Sequence, residues 1–378
     1  MRTLLTDVDN LVQNDTNNSI DIFVHDRQTH LTERVSLNSQ GEEANSSSLE
    51  PDISADGRYV TFFSYATNLA PNDTNNQPDI FLHDRQTGLT ELISLTPNGQ
   101  PFYSFSSSPA ISPDGRYVAF DSGPGVYIRD RLLGITERLD VNDAGQPGNS
   151  YSASPRLSAD GRYVVFYSQS SNLVANDSNA TIIDVFLRDR LMQTTELISL
   201  GNDGQAGDGG SYADDISHDG RLIIFSSVAT NFTLGDSFNT LDVFLYDTLT
   251  HQIKLISATP LGYPGNGGSS WGSISSDNNR FIVFHSAANN LTATDTNNVG
   301  DIFVYDLQTQ FMYCASINDN SEQGNLYSRL PTITPDGFTV AFESDATNLV
   351  PNDTNEKADI FVHHWQLYDS YLPIIISP

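Results

Sequence analysis

The chain has 378 residues, 47 of them acidic and 18 basic, for a net charge of −29. Such a charge repels polyanions and argues against nucleic acid as a partner. No apolar run approaches the roughly 20 residues of a membrane-spanning helix. Asp7 and Asp9 are incompatible with a signal peptide over the first residues, so an exported form would have lost its signal or would start downstream of it. The one cysteine, Cys314, can form no internal disulfide, and its apolar strand reads as a site for a small buried hydrophobe. Hydrophobic content is low at 38%, but Phe, Tyr and β-branched residues fill the apolar runs, which suits short half-buried strands.

Taken in chain order, the first clear element is a polar loop, Asn14-Asp15-Thr16-Asn17, that leads into a strand starting Asp21-Ile22-Phe23. The pair recurs with Asp73-Thr74-Asn75 before Asp79-Ile80-Phe81, and with Asp177-Ser178-Asn179 before Asp184-Val185-Phe186. Further copies lead to Asp242-Val243-Phe244, Asp301-Ile302-Phe303 and Asp359-Ile360-Phe361. Gly125-Val126-Tyr127-Ile128 keeps the strand and drops the loop. The residues Ile22, Ile80, Val126, Val185, Val243, Ile302 and Ile360 are spaced by 58 or 59, with one step of 46. A second signature, Asp-Gly-Arg, keeps step at Asp56, Asp114, Asp160 and Asp219, and in altered form at Asp277 and Asp336. These are seven units, each too small to bury its own apolar face, which must stack on its neighbours.

One unit reads as four strands. Ser108–Ser112 is the first, an Asp-Gly turn follows, and Arg116–Phe120 is the second. The polar loop leads to the third, Asp79–Asp84, and Arg85-Gln86-Thr87-Gly88 turns into the fourth, Thr90–Ser94. Four antiparallel strands repeated seven times predict an all-β, seven-bladed β-propeller forming one domain over residues 1–378. Arg2–Asp7 aligns with Val60–Tyr65, so the first blade is expected to lack its first strand. The tail, 370–378, is expected to act as a closing strand for its own ring or as a donor strand to a neighbour's, which would build a filament.

The run Ser112-Pro113-Asp114-Gly115-Arg116-Tyr117-Val118-Ala119-Phe120, then Asp79-Ile80-Phe81 with its Leu-Ile-Ser fourth strand, resembles the propeller repeat of the TolB family. The resemblance covers essentially the whole chain. It implies a propeller, a periplasmic or extracellular setting and protein partners. The Asp-Thr-Asn loop is an addition to the family's minimal pattern, so partner identity does not carry over.

That loop has the chemistry of a calcium site: hard oxygen ligands on a short turn. The candidate ligands are Asp15, Asn17 and Asp21; Asp73, Asn75 and Asp79; Asp177, Asn179 and Asp184. The later copies offer Asp236, Asn239 and Asp242; Asp295, Asn297 and Asp301; Asp353, Asn355 and Asp359. No His or Cys lies in the loops, which disfavours zinc and copper. The copies at Asp177 (longer spacing) and Asp236 (Phe238 where Asn belongs) are the weaker ones. The same residues also serve as Asx-turns, which need no metal.

Other residues read as structural. His25, His83 and His363 share one register position, expected to face solvent, and His285 is expected to follow a second strand. Asp26, Asp84, Asp130, Asp189, Asp247 and Asp306 end third strands in register and suit Asx-turns. No catalytic set stands outside the register. Phe105, Tyr151 and Tyr327, with Tyr103, Tyr212 and Trp271, are expected on the face that carries the polar loops, as blade packing or as a protein or glycan site. The reading is therefore a non-enzymatic, extracellular, cell-surface or periplasmic calcium-binding propeller serving structure or assembly. A recognition module is the alternative, and a lyase or glycoside hydrolase ranks below both.

Overall fold

The computed structural model of the protein describes residues 2–6, 11–179, 181–235, 239–351, 353–354 and 357–365. Every strand ladder among them is antiparallel, and there is no helix. Sheet one holds Arg2–Thr6, Asp21–Asp26 and Leu31–Arg34. Sheet two holds Ser48–Ile53, Tyr59–Ser64, Asp79–Asp84 and Leu89–Leu92. Sheet three holds Ser106–Ile111, Tyr117–Ser122, Gly125–Asp130 and Ile135–Arg138. Sheet four holds Ser152–Leu157, Tyr163–Ser168, Asp184–Asp189 and Thr194–Leu197. Sheet five holds Ser211–Ile216, Leu222–Ser227, Asp242–Asp247 and Gln252–Leu255. Sheet six holds Ser269–Ile274, Phe281–Ser286, Asp301–Asp306 and Met312–Cys314. Sheet seven holds Ser328–Ile333, Thr339–Ser344 and Asp359–His364.

Each sheet runs in chain order from an inner to an outer strand, and each inner strand packs on the inner or second strand of the sheet before it. This is an all-β propeller of four-stranded antiparallel blades. Five sheets have all four strands among the described residues, and the two at the ends hold three strands each. Among the described residues sheet one holds no strand before Arg2–Thr6. The expected closing or donor strand, 370–378, lies outside the described residues. Arg27 of sheet one reaches the His364 ring of sheet seven, so the first and last sheets meet.

The core follows from strand register. Phe62 faces Phe81 across two strands of sheet two, with ring centroids 6.2 Å apart. Phe166 and Phe186, Phe225 and Phe244, and Phe284 and Phe303 repeat the pair. Each ring is fully or almost fully buried, and burying one is worth roughly 1.5–3 kcal/mol. At the end of the second strand a buried serine pair, such as Ser48 with Ser64 at 2.9 Å, joins it to the first strand.

The third strand Asp79–Asp84 has the expected bounds. The first strand starts earlier, at Ser106, and bulges at Ser108, whose φ is 53°. The fourth ends earlier, at Leu92, because Ser94 turns its hydroxyl inward to Asp79. The Asp-Gly turn is a side-chain clasp. Asp114 Oδ1 accepts from the Ser112 hydroxyl at 2.6 Å and from Arg116 N at 2.9 Å, while Gly115 takes a φ of 72°. In sheet six the clasp moves one residue on. Asn278, not Asp277, accepts from Ser275 and Arg280 N.

Two expectations about histidine need correction. The shared position is not solvent-facing. His83 is buried, and its Nδ1 lies 2.8 Å from Thr90 Oγ1; His25 makes the same pair with Thr32 at 2.9 Å. Arg188, also buried there, donates to Thr195 Oγ1. His285 lies within the second strand of sheet six and does not follow it.

Candidate metal centres on the loop face

Asp79 opens its strand at a fully buried position, where Oδ1 accepts the Ser94 hydroxyl. The loop folds back over it. Asn75 donates Nδ2 to Asp79 Oδ2 at 2.7 Å and to the Phe102 carbonyl of the following linker at 2.6 Å. Its Oδ1 accepts Gln77 N at 2.9 Å, an Asx-turn. Asp73 has both carboxylate oxygens buried, near the Asn75 backbone amide and with no cationic side chain paired to them. Burial, then the charge of Asp73, pushes Asp79 up to about 6, and burial raises Asp73 as well.

Sheets four and six repeat the arrangement. Ser199 donates to Asp184 at 2.6 Å, and Asn179 donates to the linker carbonyl of Gly207 at 2.8 Å. Ser316 donates to Asp301, and Asn297 donates to the Gly324 carbonyl at 2.9 Å. Oδ2 of Asp184, of Asp295 and of Asp301 is buried, with the loop asparagine nearby and no cationic side chain paired to it. Burial is the main cause that holds Asp184 and Asp301 at about 6, with the facing Asp177 and Asp295 adding to it.

The remaining copies differ. In sheet one Arg34 lies between Asp15, 2.8 Å away, and Asp21, 3.3 Å away, while Asn17 donates to Asp21 at 2.8 Å. In sheet five Asp242 accepts the Ser257 hydroxyl, Asn239 is exposed, and Asp236 lies outside the described residues. In sheet seven Asp353 and Asp359 are half-buried, and Asn355 lies outside the described residues. In sheet three, which lacks the loop, Gly125 replaces the strand-opening Asp, and the carboxylate comes from Asp140, paired with Arg138.

The asparagines are thus braces between loop and linker. Asn17, Asn75 and Asn297 have their amide oxygens engaged by the backbone two residues on. The acidic side chains come in twos, and no group of three His, Cys, Asp or Glu is gathered to hold a metal among the described residues. Two buried carboxylates with spare oxygens suit a hard cation that completes its shell with backbone carbonyls and water. Cys314 borders the sheet six pair, and burial, then Asp301, pushes its thiol up to about 12.

Sequence reasoning missed a second acidic group. The bulge in each inner strand puts Asp52, Arg156 and Asp215 at equivalent places on the channel wall, beside Asp214. Asp52 Oδ2 accepts Ile111 N of the next sheet at 2.8 Å, and Asp215 Oδ2 accepts Ile274 N at 3.0 Å. These carboxyls retain partial contact with solvent, yet burial raises all three, Asp214 to about 7. The signal was present: Asp214 stands where four of the other inner strands have Pro51, Pro109, Pro155 and Pro331 and the fifth has Gly272.

The aromatic residues gather between neighbouring sheets on the loop face. Phe105 packs on Phe63 at 5.0 Å, Tyr212 on Tyr167 at 5.5 Å, and Tyr327 on His285 at 4.9 Å. Tyr103 is exposed.

No family model matches the sequence, and no curated protein matches it. Among solved structures, the chain is similar to TolB from Acinetobacter baumannii at 19% identity and a TM-score of 0.45, over 83% of this chain and 62% of that one. It therefore spans less than two thirds of that TolB. It is similar to a putative TolB from Agrobacterium tumefaciens at 15% identity and a TM-score of 0.46, over 75% and 83% of the two chains. The β-propeller domain of the Trilobed protease from Pyrococcus furiosus aligns at 12% identity with a TM-score of 0.56, over 91% of this chain and 87% of that one. At these identities the likeness is one of fold: the chain is a β-propeller, with TolB propellers among the structures it resembles.

Proposed function

We propose that the chain is a non-enzymatic, calcium-binding β-propeller that works outside the cytoplasm as a structural or assembly module. The observation that carries the calcium reading is the repeated burial of unneutralised carboxylate pairs, Asp73 with Asp79 and Asp295 with Asp301. Buried carboxylates need a positive partner or a proton. A calcium ion on the loop face supplies the charge and ties loop to linker, which stiffens that face for assembly. The fold alone leaves catalysis open, since the propeller of the Trilobed protease is a domain of a protease.

The ring on this reading has seven blades. The third strand of sheet seven, Asp359–His364, offers an edge for the 370–378 tail or for a strand of a second copy. A second reading, recognition of a protein or glycan on the loop face, is favoured by the half-exposed Tyr65, Phe105, Tyr151, Tyr212 and Trp271. Thermal unfolding and sedimentation in calcium and in chelator test the proposal. A melting temperature indifferent to both would remove calcium from it, and a chain that stays monomeric with and without 370–378 would remove assembly.

A further inference from the structure

We propose that the loop sites are of two kinds, and that in sheet one the guanidinium of Arg34 takes the place that a divalent cation takes in sheets two, four and six. The inference rests on the calcium reading above and deepens it.

Arg34 NH1 lies 2.8 Å from Asp15 and 3.3 Å from Asp21, NH2 lies 3.0 Å from Glu43, and the side chain is only 8% exposed. NH2 also donates to the Asn14 carbonyl at 3.0 Å, which belongs to the polar loop itself. The guanidinium therefore joins both acidic residues of the loop, a backbone carbonyl and the linker, the set of partners expected of a bound cation.

The register makes the comparison between sheets direct. Arg34 stands opposite Phe23 on its sheet's outer strand. The residue opposite the equivalent phenylalanine is Leu92 in sheet two, Leu197 in sheet four and Cys314 in sheet six. None of these brings a positive charge. In those three sheets buried carboxylate oxygens meet loop amides at most and no cationic side chain: both of Asp73, and Oδ2 of Asp184, Asp295 and Asp301. The two sheets with arginine at this place, one and three, have their carboxylates paired to it.

Glu43 is the second sign. Its counterparts where the linkers bridge are Pro101, Pro147, Ala206, Pro264 and Gln323, none acidic. The additional carboxylate stands in sheet one, where Arg34 NH2 meets it; sheet three, the other sheet with an arginine at this place, has Pro147 there. Two buried carboxylates without a counter-charge are costly. The first loop meets the cost from within the chain, and the open ones meet it with an ion.

Calcium stoichiometry of the full chain, by calorimetric titration after chelator treatment, tests this with Arg34→Leu and Leu92→Arg. Arg34→Leu is expected to bind one more Ca²⁺ than wild type, and Leu92→Arg one fewer. Equal stoichiometry in Arg34→Leu and wild type overturns the inference. A wild type that binds no Ca²⁺ defeats the calcium reading separately, since Arg34→Leu can still gain a site. Melting curves guard against a misfolded variant. Arg34→Leu should be less stable than wild type in chelator and gain more from Ca²⁺ than wild type does; an equal gain also overturns the inference.

Discussion

Gly115 rests on the ring of Tyr59: a Cβ built on this glycine would lie 2.2 Å from Tyr59 Cδ2. The contact joins the Asp-Gly turn of one sheet to the second strand of the sheet before it. Gly161 on Tyr117, Gly220 on Tyr163 and Gly337 on Phe281 repeat it. The Tyr59 ring is also flanked by Arg58 and Arg131, at 4.6 and 4.4 Å from its centroid.

Gly115→Ala should therefore cost at least about 2 kcal/mol, from the strained positive φ and the collision together. Gly88→Ala is the control. It has a similar φ of 71° but nothing within 4 Å of its Cβ, so only the backbone cost of about 1 kcal/mol applies. Equal losses in urea unfolding would mean that the ring contact contributes nothing.

Acid lability should come from the Arg–Asp pairs at the ends of third strands. Arg58 holds Asp84 through Nε at 2.9 Å and NH2 at 2.7 Å, and Asp130, Asp189, Asp247 and Asp306 are held alike. The Arg58 bond keeps the Asp84 carboxyl well below the usual carboxylate range. A depressed folded-state pKa stabilises above the unfolded value of about 4 and loses that contribution as pH falls toward the folded value. Asp84→Asn should be less stable than wild type at pH 7 and lose less between pH 5 and pH 3. Parallel pH curves would show that the pair is silent.

His285 should act in a different window. Both ring nitrogens are buried without a hydrogen bond, and burial pushes the imidazole down to about 4. The unfolded chain binds the proton more tightly, so stability is present above about 6.5 and falls as pH drops toward 4. His285→Leu should flatten that slope. It should also leave stability at pH 7 unchanged or raised, since an orphaned buried polar group costs roughly 1–3 kcal/mol. A clear loss of stability at pH 7 would mean that the ring contacts with Trp271 and Tyr327 outweigh the orphaned nitrogens.

Chelation should act on the open loops. An ion that binds only the folded state adds about 2.7 kcal/mol per site at a hundredfold excess over its Kd. Asp301→Asn should reduce the calcium-dependent gain in melting temperature by one site's share. A gain the same as in wild type would place the ion elsewhere.

The repeat made the fold legible, because Asp-Gly turns and Asp-Ile-Phe strands recur at fixed spacing and each has its own local reason. The loop carboxylates were legible for the same cause. What Asn75 does was not, since its bond to Phe102 O runs to a linker 27 residues on. Arg34 was invisible as a loop partner because it lies on another strand, 19 residues from Asp15. The channel carboxylates escaped because a bulge, not a motif, brings Asp52, Asp214 and Asp215 to the channel wall. The histidines were misplaced because burial there is imposed by the neighbouring sheet, as Thr90 Oγ1 donating to Leu37 O makes plain.

The outer strands of sheets two, four and five are also fastened to the linker before them. Thr90 N donates to Ser39 at 2.9 Å, Thr195 N to Asp143 at 2.8 Å, and Ile253 N to Asn202 at 2.9 Å. The acceptor side chain changes from serine to aspartate to asparagine while the seam stays the same. Whole units are therefore interchangeable parts: a gene duplication or crossover between two linkers delivers a module whose seams already match. What limits such growth is the circumference of the ring, not the chemistry of any joint.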